Sequence, residues 1–351
     1  MVKDLPDWFM SIKNLIGENI DRIITIEACL AEGLPYGVSA KLYEKARRKF
    51  GKPLTLLAAE ELISKVHEGS YVFITTGMMI PPWHTAETDG PIGAAILARA
   101  IRRELNVYPI IVTDRSELTV NVIKAACRAS GLNIVKPEYL KQVTNSVSII
   151  TYPLGREEAK GKSEELTSQF NPSAIISIER LGMNIKGEYH TALGLNCSNW
   201  TAKIDYLFHI AEKNDILTIG IGDHGNEIGF GVILDEAREI VPYGKLCRCP
   251  CKSGIVSATK TSILVVAAIS NWGAYGIAAC IAYLKDNINL IHNGETEIYL
   301  IEECIRAGGI NGATSTPILS VDAVPAKINA HIVDIMRNLI ESVKMKIKRH
   351  F

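Results

Sequence analysis

Two carboxylates and a hydroxyl follow the first apolar run of the chain, within the segment Glu87 to Pro91. The run Tyr71 to Thr76 is typical of a buried strand, and Pro91 suits the first position of a following helix, where its missing N–H costs nothing. Asp89 can cap that helix, whereas Glu87 lies too far upstream to serve the helix start. Open α/β sheets build their sites outside the carboxyl ends of parallel strands. We therefore interpret Glu87 as a functional residue and Asp89 as a cap, a metal ligand or both.

Three further apolar runs also end in acidic residues, which are Glu179, Asp223 with Glu227, and Asp114. If these strands are parallel neighbours, one sheet edge gathers five carboxylates: Glu87, Asp89, Glu179, Asp223 and Glu227. Such a group repels itself unless a cation lies within it, and oxygen ligands suit Mg²⁺ or Mn²⁺. The alternative is that each carboxylate caps the helix that follows it. The pattern favours a divalent metal site held by these five residues.

Alternating patterns predict the fold that positions these residues. From residue 71 onwards, short continuous apolar runs alternate with helical spacing, which predicts an α/β fold with a mostly parallel sheet and helices on both faces. The predicted strands are Tyr71 to Thr76, Pro109 to Thr113, Val147 to Thr151, Ala174 to Ile178, Leu217 to Ile221 and Ile263 to Ile269. The predicted helices between them include Gly93 to Leu105, Glu117 to Ala129 and Glu157 to Gln169.

Both ends of the chain are predicted to be helical. The N-terminal helical region covers residues 1–68, with helices expected at Trp8 to Ile16, Ile20 to Ala31, Ser39 to Phe50 and Ala58 to Val66. A long amphipathic C-terminal helix is expected from Ala326 to Arg349. No linker separates residues 1–68 from the α/β core of residues 69–351, so we expect one integrated unit.

Composition excludes several classes of partner. The 351 residues contain 38 basic and 38 acidic side chains, so no net charge draws the protein to nucleic acid or to an anionic membrane. The N-terminus lacks the pattern of a secretory signal, and eight cysteines are too few for a disulfide scaffold, which favours the cytoplasm. Residues 261–284 carry no charge, but polar residues at 270–271 divide them into a predicted buried strand and a buried helix from about Gly273.

Three glycines after the fifth predicted strand match the spacing of a dinucleotide-binding loop: Gly220, Gly222 and Gly225. Asp223 would then lie inside the loop that must receive a pyrophosphate, and the residues after it do not resemble a helix start. We expect instead that the glycines let the backbone pack closely against Asp223 and Glu227 or against a ligand.

Three cysteines alternate in one short segment: Cys247, Cys249 and Cys251. Zinc sites usually contain cysteine pairs separated by two residues, with further ligands downstream. No nearby histidine or second pair completes a set of four here. We therefore expect cysteines of an extended segment that bind no metal, and a structural metal is the less favoured alternative.

Four motifs, in this order and at this spacing, resemble those of the D-glutamate cyclase-like family. They are ETDGPIGAAILARAI from Glu87, SIERLG from Ser177, LTIGIGDHGNEIGFG from Leu217 and AISNWGAYGIAACIAYL from Ala268. The resemblance covers residues 20–343 and implies a lyase that, like D-glutamate cyclase, closes D-glutamate to 5-oxo-D-proline with loss of water. The chain departs from the family pattern at His224, Thr261 and Ala323, where Gly, Asp and Gly are usual.

The implied chemistry assigns roles to the motif residues. Glu87 or Asp223 would take a proton from the substrate ammonium, and the divalent ion would polarise the γ-carboxyl group. Arg180 or Lys186 would hold the α-carboxylate. The resulting site has catalytic residues Glu87, Asp223, Arg180 and Asn226, substrate-binding residues Thr88, Lys186, Gly225, Asn271 and Trp272, and metal ligands Glu87, Asp89, Glu179, Asp223 and Glu227.

Two other functions are compatible with the same acidic residues. One is a metal-dependent phosphatase acting on a small phosphorylated metabolite, because carboxylate-held ions can bind phosphate and activate water. The other is a non-catalytic protein that binds a metabolite. An apolar fraction of 47% reflects either a homo-oligomer interface or a large core, and the sequence leaves both open.

Overall fold

The computed structural model describes residues 11–28 and 36–343. The first part of the chain contains α1 (Ile12–Ile24), α2 (Val38–Phe50), α3 (Leu54–Lys65), β1 (Tyr71–Thr75), β2 (Met79–Ile80), β3 (Thr85–Ala86), α4 (Pro91–Glu104), β4 (Tyr108–Asp114), α5 (Glu117–Ala129), β5 (Asn133–Ile134), β6 (Ser146–Tyr152) and α6 (Arg156–Phe170). The second part contains β7 (Ala174–Ile178), α7 (Asp205–Lys213), β8 (Leu217–Gly222), α8 (Leu234–Ile240), β9 (Ile263–Val266), α9 (Ser270–Leu284), α10 (Gly294–Arg306), β10 (Ser320–Val321), β11 (Val324–Pro325) and α11 (Ala326–Val343).

A seven-stranded sheet with the order β5-β6-β4-β1-β7-β8-β9 forms the centre of the molecule. Every neighbouring pair in this sheet is parallel. From β1 the chain moves outward through β4 to β6, and it then returns to the other side of β1 at β7. The strand order therefore reverses between β1 and β7, and a doubly wound sheet opens a ligand-binding crevice at such a point.

Alternate residues of β1 face two different cores. Val72 and Ile74 belong to the larger apolar cluster, which includes residues of α1, α3, α4 and α9. Phe73 belongs to a second cluster, to which α6 and α7 contribute. Strands buried on both faces explain the continuous apolar runs of the sequence. The predicted α/β fold, with helices on both faces of a parallel sheet and a long C-terminal helix, is confirmed.

Element boundaries follow the sequence patterns closely, with three corrections, the first of which is that α3 begins at Leu54 and not at Ala58. The expected helices 8–16 and 20–31 are replaced by the single α1 within the described residues, while residues 8–10 and 29–31 lie outside them. Gly17 does not break the helix, because it lets α1 approach α3: a Cβ there would lie 2.8 Å from Leu56 Cβ. The strand at Ile263 ends at Val266, so α9 begins at Ser270 rather than at Gly273.

The two terminal regions pack against the α/β core. Helices α1, α3 and α11 all contact α9, which is buried almost throughout. The predicted C-terminal helix begins at Ala326 as expected, and residues 344–351 lie outside the described range. The single integrated unit stays a prediction.

The charge-free segment 261–284 folds as β9 and the 15-residue α9. Within residues 11–28 and 36–343, no helix combines the length and the apolar character needed to cross a bilayer.

The segment Cys247 to Cys251 is not extended, contrary to expectation. Bends and turns occupy it between α8 and β9. This geometry brings its three sulfur atoms together instead of spacing them along a strand.

Candidate active site

Acidic side chains converge at the crevice between β1 and β7. Glu87 and Asp89 precede α4, Glu179 follows β7, and Asp223 and Glu227 follow β8. Each of these five residues is at most 3% exposed. Asp89 and Asp223 join a sixth acidic residue, Asp322, in a set whose oxygens lie within 4.8 Å of one another. These six residues are called the acidic cluster below.

Asp89 and Asn271 cap each other's helices. The α4 helix begins at Pro91 as predicted, but its N-cap, Gly90, supplies no side-chain cap. Asp89 instead accepts the N–H groups of Ser270 (2.8 Å) and Asn271 (2.7 Å) at the start of α9. Asn271 Oδ1 in turn accepts the N–H groups of Gly90 and Gly93. Asp89 also accepts the N–H of Gly90 at 2.9 Å, so its carboxylate contacts the starts of both α4 and α9, and the cap predicted for its own helix is limited to this one bond.

The loop after β8 folds back on its own strand. Glu227 accepts the backbone N–H groups of His224 (3.1 Å) and Gly225 (2.8 Å), which closes the loop around Asp223. A Cβ on Gly222 would lie 2.9 Å from Glu227 Cβ, so only glycine permits this approach. The close packing predicted against Glu227 is confirmed at Gly222, while Gly220 packs against Ile228 and Gly225 against Val241.

Glu179 holds an unusual backbone conformation at the end of β7. Its φ of 46° lies in the left-handed region, which side chains other than glycine rarely occupy. Its Oε2 accepts the hydroxyl of Ser270 at 2.6 Å. Gly90 makes this placement possible, since a Cβ there would lie 2.8 Å from Glu179 Cβ. Strained residues of this kind cluster at functional sites.

Asp322 belongs to the site, although the sequence patterns did not predict it there. It lies between the two short strands β10 and β11, far along the chain from the other acidic residues. Asp322 and Ala323 have φ values of 43° and 61°. The family's usual glycine at position 323 was the signal that pointed here, because this hairpin requires a left-handed residue next to its carboxylate.

Ala323→Gly is expected to stabilise the protein by about 1 kcal/mol, because glycine adopts positive φ without the clash that alanine suffers. Thermal or urea unfolding measures this change. Ala307→Gly is the matched control: Ala307 has a φ of −82°, so glycine there should lower the free energy of unfolding. A loss of stability in both variants would contradict the argument.

Burial and mutual repulsion raise the pKa of most of the acidic cluster. The pKa values of Glu87, Glu179 and Asp223 lie well above their ordinary values, first through burial and then through neighbouring carboxylates. Burial raises the pKa of Asp89 to about 6 despite three backbone donors. Burial and Asp89 raise the pKa of Asp322 to about 8. The cluster therefore holds protons at neutral pH unless a cation replaces them.

Removal of divalent ions is expected to make stability depend on pH in an unusual direction. A folded-state pKa above the unfolded value means that the folded form retains protons that the unfolded chain has lost. These retained protons contribute their full stabilisation of the folded state below about pH 4. This contribution disappears as pH rises through the folded-state pKa values, which are about 6 for Asp89 and about 8 for Asp322. In chelator, the free energy of unfolding should fall by roughly 5 kcal/mol between about pH 5 and pH 8.

Urea titrations at several pH values test this dependence. Asp322→Asn should flatten the upper part of the curve, because an amide cannot titrate. Burial raises the pKa of Asp21 to about 6, so Asp21 also makes the free energy of unfolding fall as pH rises, and it does so with or without a bound metal. A free energy of unfolding that rises from pH 5 to pH 8 in chelator would contradict the prediction.

Arg180 is engaged by a residue outside the acidic cluster. Its guanidinium forms a bidentate pair with the buried Asp114, with Nη2 to Oδ1 at 2.9 Å, and it also donates to the carbonyl of Ala202 at 3.0 Å. Asp114, the carboxylate at the end of β4, therefore pairs with Arg180 and does not belong to the cluster. We do not assign the substrate carboxylate to Arg180, because both of its terminal nitrogens already have partners.

Four other predicted substrate-binding residues also have different placements. Thr88 donates its hydroxyl to the carbonyl of Ser320, and Asn271 is occupied by the caps described above. The buried Trp272 donates its ring N–H to Asn329 on α11 at 2.8 Å. Lys186 lies on an exposed turn. Within the described residues, these contacts give the side-chain donors of Thr88, Asn271 and Trp272 protein partners around the cluster. Substrate binding by these residues and by Lys186 stays a prediction.

Two residues of the β8 loop retain groups that a ligand could use. Asn226 donates Nδ2 to the carbonyl of His190 at 3.0 Å, while its buried Oδ1 has no partner within the described part of the chain. Gly225, with a φ of 93°, turns the loop between Asp223 and Glu227. His224, at the position where the family usually has glycine, forms a hydrogen bond between Nδ1 and Asp223 Oδ1 at 2.5 Å, and its side chain is 24% exposed.

Comparison with known proteins places this architecture in a family. The model of the family described as D-glutamate cyclase-like, C-terminal, matches residues 38–337. The human protein named D-glutamate cyclase, mitochondrial, is 30% identical over 244 residues, which cover 65% of this chain and 36% of that protein. The chain thus spans about a third of the length of this curated relative.

Solved structures show only weak likeness. A short-chain dehydrogenase/reductase from Serratia marcescens and a mutant of the same enzyme each give a TM-score of 0.23 at 11% identity, covering 57% of this chain and 98% of theirs. Likeness at this level supports no inference about function. The family match agrees with the four motifs found in the sequence, and it extends from α2 into α11. The chain therefore belongs to the D-glutamate cyclase-like family.

Proposed function

We propose that this protein is a lyase that closes D-glutamate to 5-oxo-D-proline with the help of a divalent ion. The main support is the convergence of buried carboxylates at the switch point of the sheet, in a chain that belongs to this family. An oxygen-only set of this kind suits Mg²⁺ or Mn²⁺.

The residues of the acidic cluster fit a divalent ion. Glu87 Oε1 and Asp223 Oδ2 are buried and have no hydrogen-bond partner within residues 11–28 and 36–343. In the same residues, His224 is the only Lys, Arg or His side chain with a nitrogen within 4 Å of a carboxylate oxygen of the cluster. Asp89, Asp223 and Asp322 are the best placed ligands, because their oxygens come together. The bound ion would polarise the γ-carboxyl group of the substrate and help its oxygen to leave.

Ring closure requires two proton transfers that the protein's own residues can perform. The substrate ammonium must lose a proton before its nitrogen attacks the γ-carboxyl carbon, and Glu87 can accept that proton at its unpartnered Oε1. As the C–N bond forms, a C–O bond of the γ-carboxyl group breaks. The departing oxygen takes up two protons, the one that Glu87 accepted and a second one from the nitrogen, and it leaves as water. Asp223, held by the partly exposed His224, can pass a proton between this site and solvent.

Positioning supplies the rest of the rate enhancement. The reaction is intramolecular, so the site needs only to hold the amine against the γ-carboxyl carbon. Since Arg180 is already paired with Asp114, Asn226 Oδ1 is the best candidate among the predicted residues to orient the ammonium group.

The test is an assay of the purified full chain with D-glutamate, L-glutamate and p-nitrophenyl phosphate, each with Mn²⁺, with Mg²⁺ and with chelator. We expect 5-oxoproline from D-glutamate only when metal is present. Glu87→Gln should lower kcat/KM by about 10²–10⁴-fold, because it removes the proton acceptor. If D-glutamate is untouched with either metal, the proposal fails.

The same assay separates the other functions. Phosphate release would indicate the phosphatase alternative, which the comparisons do not support. Tight binding of D-glutamate without product, measured by calorimetry, would indicate a non-catalytic metabolite-binding protein.

A further inference from the structure

Three thiols and one imidazole meet between two long loops on the carboxyl side of β7 and β8. Cys247 Sγ lies 3.5 Å from Cys249 Sγ and 3.3 Å from Cys251 Sγ. His190 Nε2 lies 3.2 Å from Cys249 Sγ and 3.7 Å from Cys251 Sγ. All four atoms lie within 4.8 Å of one another. His190 is the fourth ligand that sequence spacing could not identify, since 57 residues separate it from the first cysteine.

These distances suit one tetrahedral ion. Zinc–sulfur bonds of about 2.3 Å place neighbouring sulfurs of a tetrahedron about 3.8 Å apart, so a small outward movement of the thiols admits the ion. The sulfurs are too far apart for a disulfide, whose bond is about 2.05 Å, and all three cysteines are free. Three sulfurs and one nitrogen form a known structural zinc set and exclude Mg²⁺, which prefers oxygen.

Neighbouring groups support negative charge on the sulfurs. Asn184 Nδ2 donates to Cys251 Sγ at 3.5 Å, and Asn196 Nδ2 donates to Cys249 Sγ at 3.7 Å. The backbone N–H of Cys251 also donates to Cys249 Sγ, at 3.4 Å. Donors around a metal ligand fix its orientation and tune its affinity for the ion.

Other buried cysteines in the described residues have no such surroundings. Cys280 donates to the hydroxyl of Thr55, and Cys304 lies near the carbonyl of Val122. Neither belongs to a group of three or more potential metal ligands in the described residues. The gathering of three cysteines around one imidazole is therefore specific to this place in the fold.

We propose that His190, Cys247, Cys249 and Cys251 bind one structural Zn²⁺. Four protein ligands leave no open position for substrate, which is the mark of a structural zinc site. The ion joins the loop that carries His190 to the loop that carries the cysteines. Since His190 also accepts Asn226 Nδ2 through its carbonyl, the zinc site holds the β8 loop, and with it Asp223, in place.

Elemental analysis of the full chain, purified without chelator and without a metal-affinity column, tests the proposal. We expect about one zinc per chain, and this content should survive dialysis against Mn²⁺. Cys249→Ser and His190→Ala should each lose most of the zinc. Cys304→Ser is the matched control and should keep it.

Two further measurements keep the test decisive if a variant fails to fold. Wild-type protein refolded with Co²⁺ should show the intense charge-transfer absorption of cobalt bound to thiolates, which carboxylates do not produce. Asp223→Asn should retain this absorption, which separates the zinc site from the acidic cluster and from the proposed cyclase activity. Wild-type protein with less than about 0.1 zinc per chain, and no uptake of Zn²⁺ or Co²⁺ under reducing conditions, would overturn the proposal.

Discussion

Asp223→Asn is expected to weaken Mn²⁺ binding at least tenfold. The substitution removes one negative charge and one oxygen ligand from the set formed with Asp89 and Asp322. Changes to residues that merely support a metal ligand typically cost about 10–100-fold in affinity, so loss of a direct ligand should cost at least as much. Isothermal titration calorimetry on chelator-treated protein measures this change.

Stability distinguishes a lost ligand from a damaged fold. Asparagine has the shape of aspartate and can still accept His224 Nδ1, and the neutral side chain relieves repulsion from Glu227. The metal-free variant should therefore unfold at a temperature no lower than that of the wild type. Asp235→Asn, on the exposed face of α8, is the matched control and should bind Mn²⁺ with unchanged affinity. Equal affinity for Mn²⁺ in the Asp223 variant and the wild type would contradict the proposal that Asp223 is a metal ligand.

Arg180→Ala is expected to lower the free energy of unfolding by about 3–5 kcal/mol. The substitution leaves the carboxylate of Asp114 buried without its counter-ion, and such a charge cannot regain water. It also removes the donors to the carbonyls of Gly77, after β1, and Ala202. Urea unfolding with and without Mn²⁺ should give the same loss, because neither Arg180 nor Asp114 belongs to the acidic cluster.

The adjacent residue supplies the control for this prediction. Arg115 pairs with Glu158 at 3.4 Å, but both side chains are more than half exposed. Arg115→Ala should therefore cost less than about 1 kcal/mol. If Arg180 instead held the substrate carboxylate, Arg180→Ala would raise KM and leave the free energy of unfolding nearly unchanged. This outcome would support binding of the substrate α-carboxylate by Arg180, as predicted from the sequence.

Local patterns were sufficient for the sheet and its helices. A strand buried on both faces must be apolar throughout, so β1 and β7 could be located within a residue at each end. The position of acidic residues directly after such strands also predicted which end of the sheet carries the site, because parallel strands all end on the same side. Glu179 and Asp223 could be found in this way.

Hydrogen-bond partners could not be predicted from the same patterns. Asp89 and Asn271 are 182 residues apart, and their exchange of helix caps depends on how α4 and α9 pack. The partner of Arg180, Asp114, lies on the far side of β1, and residue type alone could not indicate this pairing. The substrate-binding roles predicted from residue type alone require side chains that are free to bind a ligand. Buried polar groups, however, are almost always hydrogen-bonded to other parts of the protein.

The amino-acid sequence by itself determined the α/β architecture, the family and the sheet edge that gathers the carboxylates, because these depend on periodicity and on motifs that are local in the chain. Only the tertiary structure decided that Asp322 completes the acidic cluster and that His190 meets the three cysteines. Ligands contributed by distant loops leave no spacing signal, since their proximity arises from the packing of the loops and not from their order along the chain.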